Sequence, residues 1–500
     1  MVESTPEVIV VGAGPVGLFT ALLLARRGVR VRVLDRSPGP PENPRAAVIW
    51  PRAAEALRAE GLSPAFHAES SFLRSADFFI RGRQRGHVSL GALDSPEPLP
   101  WIVEQHRTEA ILRDALRANG VEVEWGVEVL RAESGQGSAR LSARTGNQTL
   151  TLEASWIVAA DGARSQLRKG LGIPFEGAER PGLECLQINA VPHWRYPTEL
   201  GRCQFFLDDR VTLLAVPLPT GGCRFVSFIR TSAPPTEAAS LEEIRTAYAH
   251  VAHAPELRLV PTTPPWQSRA RFHDRVAARL RQERVLLVGD AAHVWAPIGG
   301  HGMNVGLLGA QNLAWRLAAV VRDGAREMLL DGYEREHRAL ARGVIWRLMF
   351  NRTEYPSPGW LLGLIDAAMP WAVMDGPVWR RIEVGLSLLS VRHSAPGASW
   401  TLSAAKPGAR LPYGRQKTHD LLDPRRWTVL LVDPDAQAQR MVDSALGPLR
   451  RFVVPQPVER RAWRGARGLV LVRPDSHVDV ALPYHRASEI AARLAPIYPS

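Results

Sequence analysis

The chain opens on a short apolar run, Glu-Val-Ile-Val-Val at residues 7–11, which suits a strand buried on both faces. Leu18 to Arg27 reads as a helix, with Arg26 and Arg27 in its last turn and Gly28 to cap it. Val29 to Leu34 is a second strand, closed by Asp35. Arg36 to Pro44 is a Pro- and Gly-rich loop, Pro51 to Glu60 a helix ended by Gly61, and Ser71 to Leu99 an alternating stretch that starts a second layer. A helix follows over 104–119, capped by Gly120. Residues 121–156 give short strands broken by Ser-Gly-Gln-Gly-Ser (134–138) and Thr-Gly-Asn (145–147), a hairpin pattern, before a buried strand at Trp156–Ala160.

Between about 180 and 265 the pattern turns β-rich. Gln187–Ala190, Cys203–Leu207, Val211–Pro217 and Arg224–Ile229 are separated by turns, and Ser240–His253 is the main helix signal. Val285–Val288 is a return strand, Gly289–Gly302 a glycine-rich loop and Met303–Arg322 a long helix, with helices continuing to about Ser390. Pro396–Gly414 reads as a linker. The last hundred residues hold strands at Thr428–Val432, Leu469–Val472 and Val478–Ala481, with helices near 435–446 and 487–495.

The glycines between the first strand and helix carry the clearest chemistry. Gly12 permits a tight turn, Gly14 lets backbone approach a pyrophosphate, and Gly17 lets helix and strand pack closely. The helix N-terminus offers free N–H groups and partial positive charge to phosphates. Asp35 lies 18 residues after Gly17, near the spacing of an acid that accepts ribose hydroxyls. Strand, glycine loop, helix and acid together predict a dinucleotide site.

Composition narrows the rest. Five hundred residues exceed one core, so two or three domains are expected. The net charge is +12, but the basic residues are almost all Arg and are spread along the chain, which argues against a nucleic-acid footprint. Cys185, Cys203 and Cys223 make no CxxC and no metal-ligand spacing, so no metal is expected and a reducing cytoplasm fits. The start of the chain does not read as a signal peptide, and the apolar stretch 359–374 is too short to span a bilayer.

Three segments in order, the loop at 12–17, Ala-Asp-Gly-Ala-Arg-Ser at 160–165 and Val-Gly-Asp-Ala-Ala-His at 288–293, give the chain a resemblance to the class A flavoprotein monooxygenases, the family of para-hydroxybenzoate, phenol and polyketide aromatic hydroxylases. The resemblance covers residues 5 to about 350, and Leu471–Asp475 is similar, more loosely, to the thioredoxin-like domain appended to many polyketide hydroxylases. It implies an α/β fold: an FAD-binding Rossmann-like βαβ domain (1–75, 100–180 and 266–395), an inserted antiparallel β-sheet substrate domain (76–99 and 181–265), and a thioredoxin-like domain (400–500) without CxxC. Gly12, Gly14, Pro15, Val16 and Gly17 match the FAD pyrophosphate loop, with Asp35 and Arg36 at the adenosine ribose end. Arg45 and Gln105 match residues beside the flavin and ribityl chain, Asp161 and Gly162 a motif shared by FAD and NAD(P)H binding, and Gly289 and Asp290 the second FAD motif. Pro297, Gly300, Gly302, Met303 and Asn304 match the loop and helix start under the isoalloxazine.

The activity so implied is NAD(P)H-driven reduction of FAD, addition of oxygen, and hydroxylation of an aromatic or polyketide-like small molecule by a flavin C4a-hydroperoxide, as in antibiotic biosynthesis. A related epoxidase, reductase or halogenase, or a non-catalytic flavin-binding protein, shares the same motifs. The halogenase is disfavoured because no Trp-x-Trp-x-Ile-Pro is present. The expected state is a cytoplasmic monomer or homodimer without nucleic acid or transmembrane segment. The family usually has Gln where this chain has His301 and Asp where it has Gly309. No catalytic residue is evident; His301, Pro297 and Arg45 are candidates, and His293 reads as structural. His67, His87, Tyr196 and Asp208 are candidate bases for a substrate hydroxyl, and Trp50, Trp101, Phe205, Phe206 and Phe228 candidate pocket walls, with the Trp-rich stretch 359–379 a candidate cap.

Overall fold

The computed structural model describes residues 6–42, 45–135, 137–232, 238–348, 354–372, 376–393, 405–459 and 467–498. A six-stranded sheet lies at its centre, in the order Arg281–Gln282, Val285–Leu287, Trp156–Ala159, Val8–Val11, Val31–Asp35 and Val123–Trp125. All neighbours are parallel except the short edge pair, with Val8 in register with both Trp156 and Val31. Strands buried on both faces need no alternation, which is why the Val-Ile-rich runs read so clearly. The helices Pro15–Arg26, Gln105–Arg117 and His301–Arg322 pack together on this sheet. Gly306 makes their closest approach possible, since a Cβ there would sit 2.5 Å from Val16 Cγ2.

The second layer is a nine-stranded sheet. Its long strands Phe175–His193 and Gln267–Ala277 pair antiparallel with a register shift between Glu179 and Glu184. Both reach beyond the segments 76–99 and 181–265 assigned to this sheet from the sequence. The Gln-Ser-Arg-Ala-Arg-Phe-His-Asp-Arg run at 267–275 carries so many half-exposed polar side chains that it does not read as a strand. One pairing is parallel, Ser75–Ile80 with Arg202–Leu207, so the expected wholly antiparallel sheet is mixed. The two strands are separated in the chain by over a hundred residues, so a crossover rather than a hairpin joins them. Cys185, Cys203 and Cys223 all lie buried in this sheet as free thiols.

The last hundred residues form a four-stranded sheet in the order Val453–Val458, Trp427–Val432, Gly468–Val472, Val478–Leu482, flanked by helices Ala436–Leu446 and Ser488–Leu494. The first two strands are parallel and the others antiparallel. Val453–Val458 escaped the sequence reading because Pro455 and Pro457 interrupt it; it is an edge strand, where missing N–H groups are tolerated. The unit shares a core with the helix His301–Arg322 through Trp315 and Trp427. Below it runs a buried ionic seam. Arg473 donates to both Glu336 oxygens at 2.7 and 2.9 Å, Arg316 to Glu336 at 2.9 Å, and Arg410 to both Glu55 oxygens at 2.7 and 2.6 Å. Of the expected linker 396–414, residues 396–404 lie outside the described residues. The rest is packed rather than loose, with Ala405 and Leu411 fully buried and Arg410 pairing with Glu55. Among the described residues, no helix is long and apolar enough to cross a membrane, and no group of three or more His, Cys, Asp or Glu could hold a metal ion.

Candidate active site

The glycine loop separates structural from open positions. A Cβ on Gly12 would stand 2.3 Å from the Ala160 oxygen, and one on Gly17 would stand 1.9 Å from the Gly12 oxygen. A Cβ on Gly14 would meet nothing within 4 Å. Gly14 is also the N-cap of the helix that begins at Pro15, and no side chain caps that end, so its first-turn amides have no acceptor in the helix. Asp35 fixes the loop: one oxygen accepts from Ala13 N at 2.7 Å and the other from Ser37 N at 2.8 Å. Arg36 is exposed.

Two further turns close on this loop. Asp161 accepts from Leu167 N at 3.2 Å, while its Oδ1 is buried without a partner. Arg168 donates to the Ala291 and Ala163 oxygens at 3.1 and 3.2 Å, holding the 160s turn against the Gly289–Ala291 turn. Asp290 is exposed and lines the cavity. Desolvation by the surrounding protein raises its carboxyl to about 6, against the pull of Arg45. Gln105 accepts from Ala46 N at 3.2 Å and donates to Glu109 Oε1 at 2.8 Å, so it holds the segment that carries Arg45. Burial pushes Glu109 up to about 7. Nothing in its helical context singled Glu109 out.

The loop 297–302 turns sharply because Gly299 and Gly300 take φ of 69° and 62°. Those two residues start the long helix at His301, two positions before the expected Met303. Asn304 is wholly buried and engaged: it accepts from Trp50 N at 2.7 Å and donates to the Val48 and Gly300 oxygens at 2.9 and 2.8 Å. The Trp50 indole donates to Gly299 O at 2.7 Å. Gly299 N in turn donates to both oxygens of Glu354, at 3.0 and 2.9 Å. His301 stacks on Trp50, with its Nε2 2.9 Å from Leu386 O. Burial lowers it to about 4, so it is a neutral Nε2–H donor near pH 7. His293 and His337 meet Nε2 to Nε2 at 2.9 Å, and burial holds both below the ordinary histidine range. A Cβ on Gly309 would lie 2.5 Å from His337 Nε2, so the space that a larger residue would need at 309 is filled by this imidazole.

These turns surround one cavity of about 1540 Å³, larger than the roughly 300–1,000 Å³ common for a single small ligand. Gly14, Pro15, Val16, Gly17, Arg45, Gln105, Gly162, Gly289, Asp290, Pro297, Gly300, Gly302 and Met303 line it; Gly12, Asp35, Arg36, Asp161 and Asn304 stand behind or beside it. The opposite wall is apolar and comes from the nine-stranded sheet and the helix Pro377–Leu386: Phe78, Phe205, Leu214, Val226, Trp379 and Ile382. Trp50 and Phe205 line the cavity as expected, but Trp101, Phe206 and Phe228 are core. None of the four candidate bases lines it. His67 pairs with Glu97 at 3.0 Å, His87 with Asp77 at 2.8 Å, the Tyr196 hydroxyl donates to Ala252 O, and Asp208 caps a turn at Arg210 N. The sequence reading missed Trp266, Trp295, Arg224, Arg347 and Glu354, all of which line the cavity. Arg224, which burial lowers to about 10, also donates to Arg45 O and Asn189 Oδ1.

A family model described as FAD binding domain matches residues 5–347. The chain is 31% identical to 6-methylpretetramide 4-monooxygenase of Streptomyces rimosus, over 99% of this chain and 94% of that one. It is 32% identical to the 12-dehydrotetracycline 5-monooxygenase/anhydrotetracycline 6-monooxygenase of Streptomyces rimosus subsp. rimosus, over 68% of each. The solved OxyS anhydrotetracycline hydroxylase from Streptomyces rimosus superposes with a TM-score of 0.80 at 25% identity, covering 99% of this chain and 100% of that one.

Proposed function

The chain belongs to the class A flavoprotein aromatic monooxygenases that carry this FAD binding domain, and on that premise we propose that it hydroxylates a fused-ring, polyketide-like aromatic held in the apolar half of the cavity. It is an FAD-dependent oxidoreductase with NAD(P)H as co-substrate. The observation that carries the substrate class is the cavity itself: the glycine-loop end and the aromatic wall are parts of one space, with room for a fused ring system beside a flavin.

The residues fit FAD. Gly14 opens onto empty space where its neighbours Gly12 and Gly17 are blocked, and Asp161 Oδ1 waits without a partner beside Gly162. In this reading Gly14 to Gly17 and the first-turn amides receive the pyrophosphate, Asp35 and Arg36 the adenosine ribose end, and Asp290, Gln105 and Arg45 the ribityl chain and flavin edge. Gly300, Gly302 and Met303 aim the N-terminus of the long helix at the flavin ring, where its partial positive charge favours an anionic ring. Pro297 shapes that loop, while Asn304 and His301 fix it from behind. When bound, FAD takes a hydride from NAD(P)H and activates oxygen for transfer to the aromatic. The protein's part is to position the ring, exclude water and manage protons.

The C-terminal sheet has the βαβ-then-ββα order of a thioredoxin-like unit, which supports that assignment for 400–500, and its lack of CxxC leaves it a structural role. The three free, buried thiols support a reducing cytoplasm, with the protein as monomer or homodimer. The test is isotopic. FAD-loaded protein with NADPH, labelled oxygen gas and a panel of phenols and hydroxyanthraquinones should give one product bearing a single labelled oxygen. NADPH oxidation that yields only hydrogen peroxide with every panel member would overturn the hydroxylase reading.

A further inference from the structure

A hydroxylase of phenols works better when the substrate hydroxyl gives up its proton as the ring accepts oxygen. Among the described residues that line the cavity, the acidic side chains are Asp290 and Glu354. Asp290 sits beside Gly289, whose Cβ position abuts Val16 of the glycine loop, so it belongs to the cofactor end. The two histidines on the cavity wall are committed elsewhere: His293 to His337, and His301 to Leu386 O, with its free Nδ1 shut away from solvent. Glu354 is the other acid. It is only 6% exposed, yet it lines the cavity, and both its oxygens share the single amide of Gly299, on the loop that faces the flavin.

The segment that carries Glu354 is fastened to the substrate sheet. The Thr212 hydroxyl donates to Glu354 O, and Arg230 donates to Pro356 O at 3.2 and 2.9 Å. Arg180 lies over the ring of Tyr355. The backbone on either side of Glu354 is therefore held by the sheet that forms the aromatic wall, while its carboxylate accepts from the loop at Gly299 and lines the cavity. Among the described residues the cations that line the cavity are Arg45, Arg224 and Arg347, which can attract an anionic ring but cannot take a proton from a neutral one. The Cys185 and Cys203 thiols, which feel the Glu354 charge, are buried and pushed up far above neutrality, so they are no bases.

We infer that Glu354 is the group that accepts the proton of the substrate's ring hydroxyl. The inference rests on the hydroxylase reading above. In the step the O–H bond breaks, its proton passes to a Glu354 carboxylate oxygen, and the electron pair stays on the ring oxygen, where it enriches the carbon to be hydroxylated. No electron leaves or enters. In the resting complex the carboxylate accepts a hydrogen bond from the neutral hydroxyl and disfavours an already ionised phenolate.

The variant Glu354→Gln tests this, because its amide oxygen still accepts from Gly299 N while it can neither carry the charge nor take the proton. Glu354→Asp keeps the charge and guards against a folding artefact. The probe is whichever of 4-nitrophenol and 1,8-dihydroxyanthraquinone binds FAD-loaded wild type, with its ionisation read from its own visible spectrum. E354Q should bind FAD as wild type does, lower the bound probe's apparent pKa by about one unit as a neighbouring negative charge is lost, and cut kcat by about 100- to 10,000-fold with KM little changed. E354D should keep the probe's wild-type pKa. An unchanged probe pKa in E354Q with normal FAD binding, or loss of FAD with unchanged probe titration, would reduce Glu354 to a support of the Gly299 loop and overturn the inference. If no probe binds wild type, the aromatic-substrate reading fails and the inference falls with it.

Discussion

Gly14 and Gly17 lie three residues apart in one loop, and the structure gives them opposite expectations. Gly14 has φ −72° and ψ 176°, backbone that alanine adopts freely, and its Cβ would have no neighbour within 4 Å. Gly14→Ala should therefore leave the cofactor-free protein within about 0.5 kcal/mol of wild type, since the loss of a preferred N-cap is offset by a stiffer unfolded chain. The same methyl would stand in the space assigned to the pyrophosphate. Excluding it should weaken FAD binding at least tenfold, which is about 1.4 kcal/mol. Gly17→Ala would place Cβ 1.9 Å from the Gly12 oxygen and 3.2 Å from Ala160 Cβ, so backbone must shift, at about 1–3 kcal/mol or more. Urea unfolding of the cofactor-free variants and FAD titration by flavin fluorescence separate the two effects. G14A that binds FAD like wild type, or that unfolds like G17A, would refute the assignment of open and closed glycines.

Other consequences follow from buried charge and packing. Burial alone would raise Glu55, but Arg410, with His419 and Arg52 adding to it, outweighs burial and holds the carboxyl near 2. Arg410→Ala leaves that charge with Arg52 and the Ser95 hydroxyl alone and should cost at most about 3–5 kcal/mol in chemical unfolding. Because Glu55 is depressed in the folded state, its contribution is present above pH 4.5 and lost as pH falls toward 2, so R410A should flatten that part of the acid limb. His301 is lowered from 6.5 to about 4 by burial, so the unfolded chain binds more protons between those values and stability should fall as pH drops through that window. His301→Gln should reduce that slope in pH-dependent melts without changing FAD affinity, because an amide can still donate to Leu386 O. Gly309→Ala should destabilise by about 1–3 kcal/mol, and His337→Ala in the same chain should remove part of that penalty in a double-mutant cycle, as the imaginary Cβ lies 2.5 Å from the imidazole.

The nucleotide half of the site was legible because its instructions are local. Strand, glycines, helix and Asp35 fall within residues 7–35, and Gly12 and Gly17 answer close backbone approaches that any Cβ would block. The substrate half was not, because its meaning is set by partners far away in sequence. His67 and His87 carry the chemistry of a base but are paired with Glu97 and Asp77. Trp50 and Trp101 look alike in the chain, yet Trp50, at the start of a helix, lines the cavity, while Trp101, in a strand, lies in the core. Glu354 follows no motif and gains its position from Thr212, Arg230 and the Gly299 amide. The departure at Gly309 became intelligible only with His337 beside it.

On the proposed function, one cavity holds FAD and an aromatic substrate together, so that the second changes the chemistry of the first. The direct measurement is anaerobic reduction of FAD-loaded protein by NADPH and NADH in stopped flow, with and without a panel of phenols and hydroxyanthraquinones. A shared cavity predicts that at least one panel member changes the rate of flavin bleaching, and that filling the aromatic wall with Val226→Trp abolishes the response while the reduction without aromatic is unchanged. Reduction at the same rate with every aromatic, in both proteins, would contradict it.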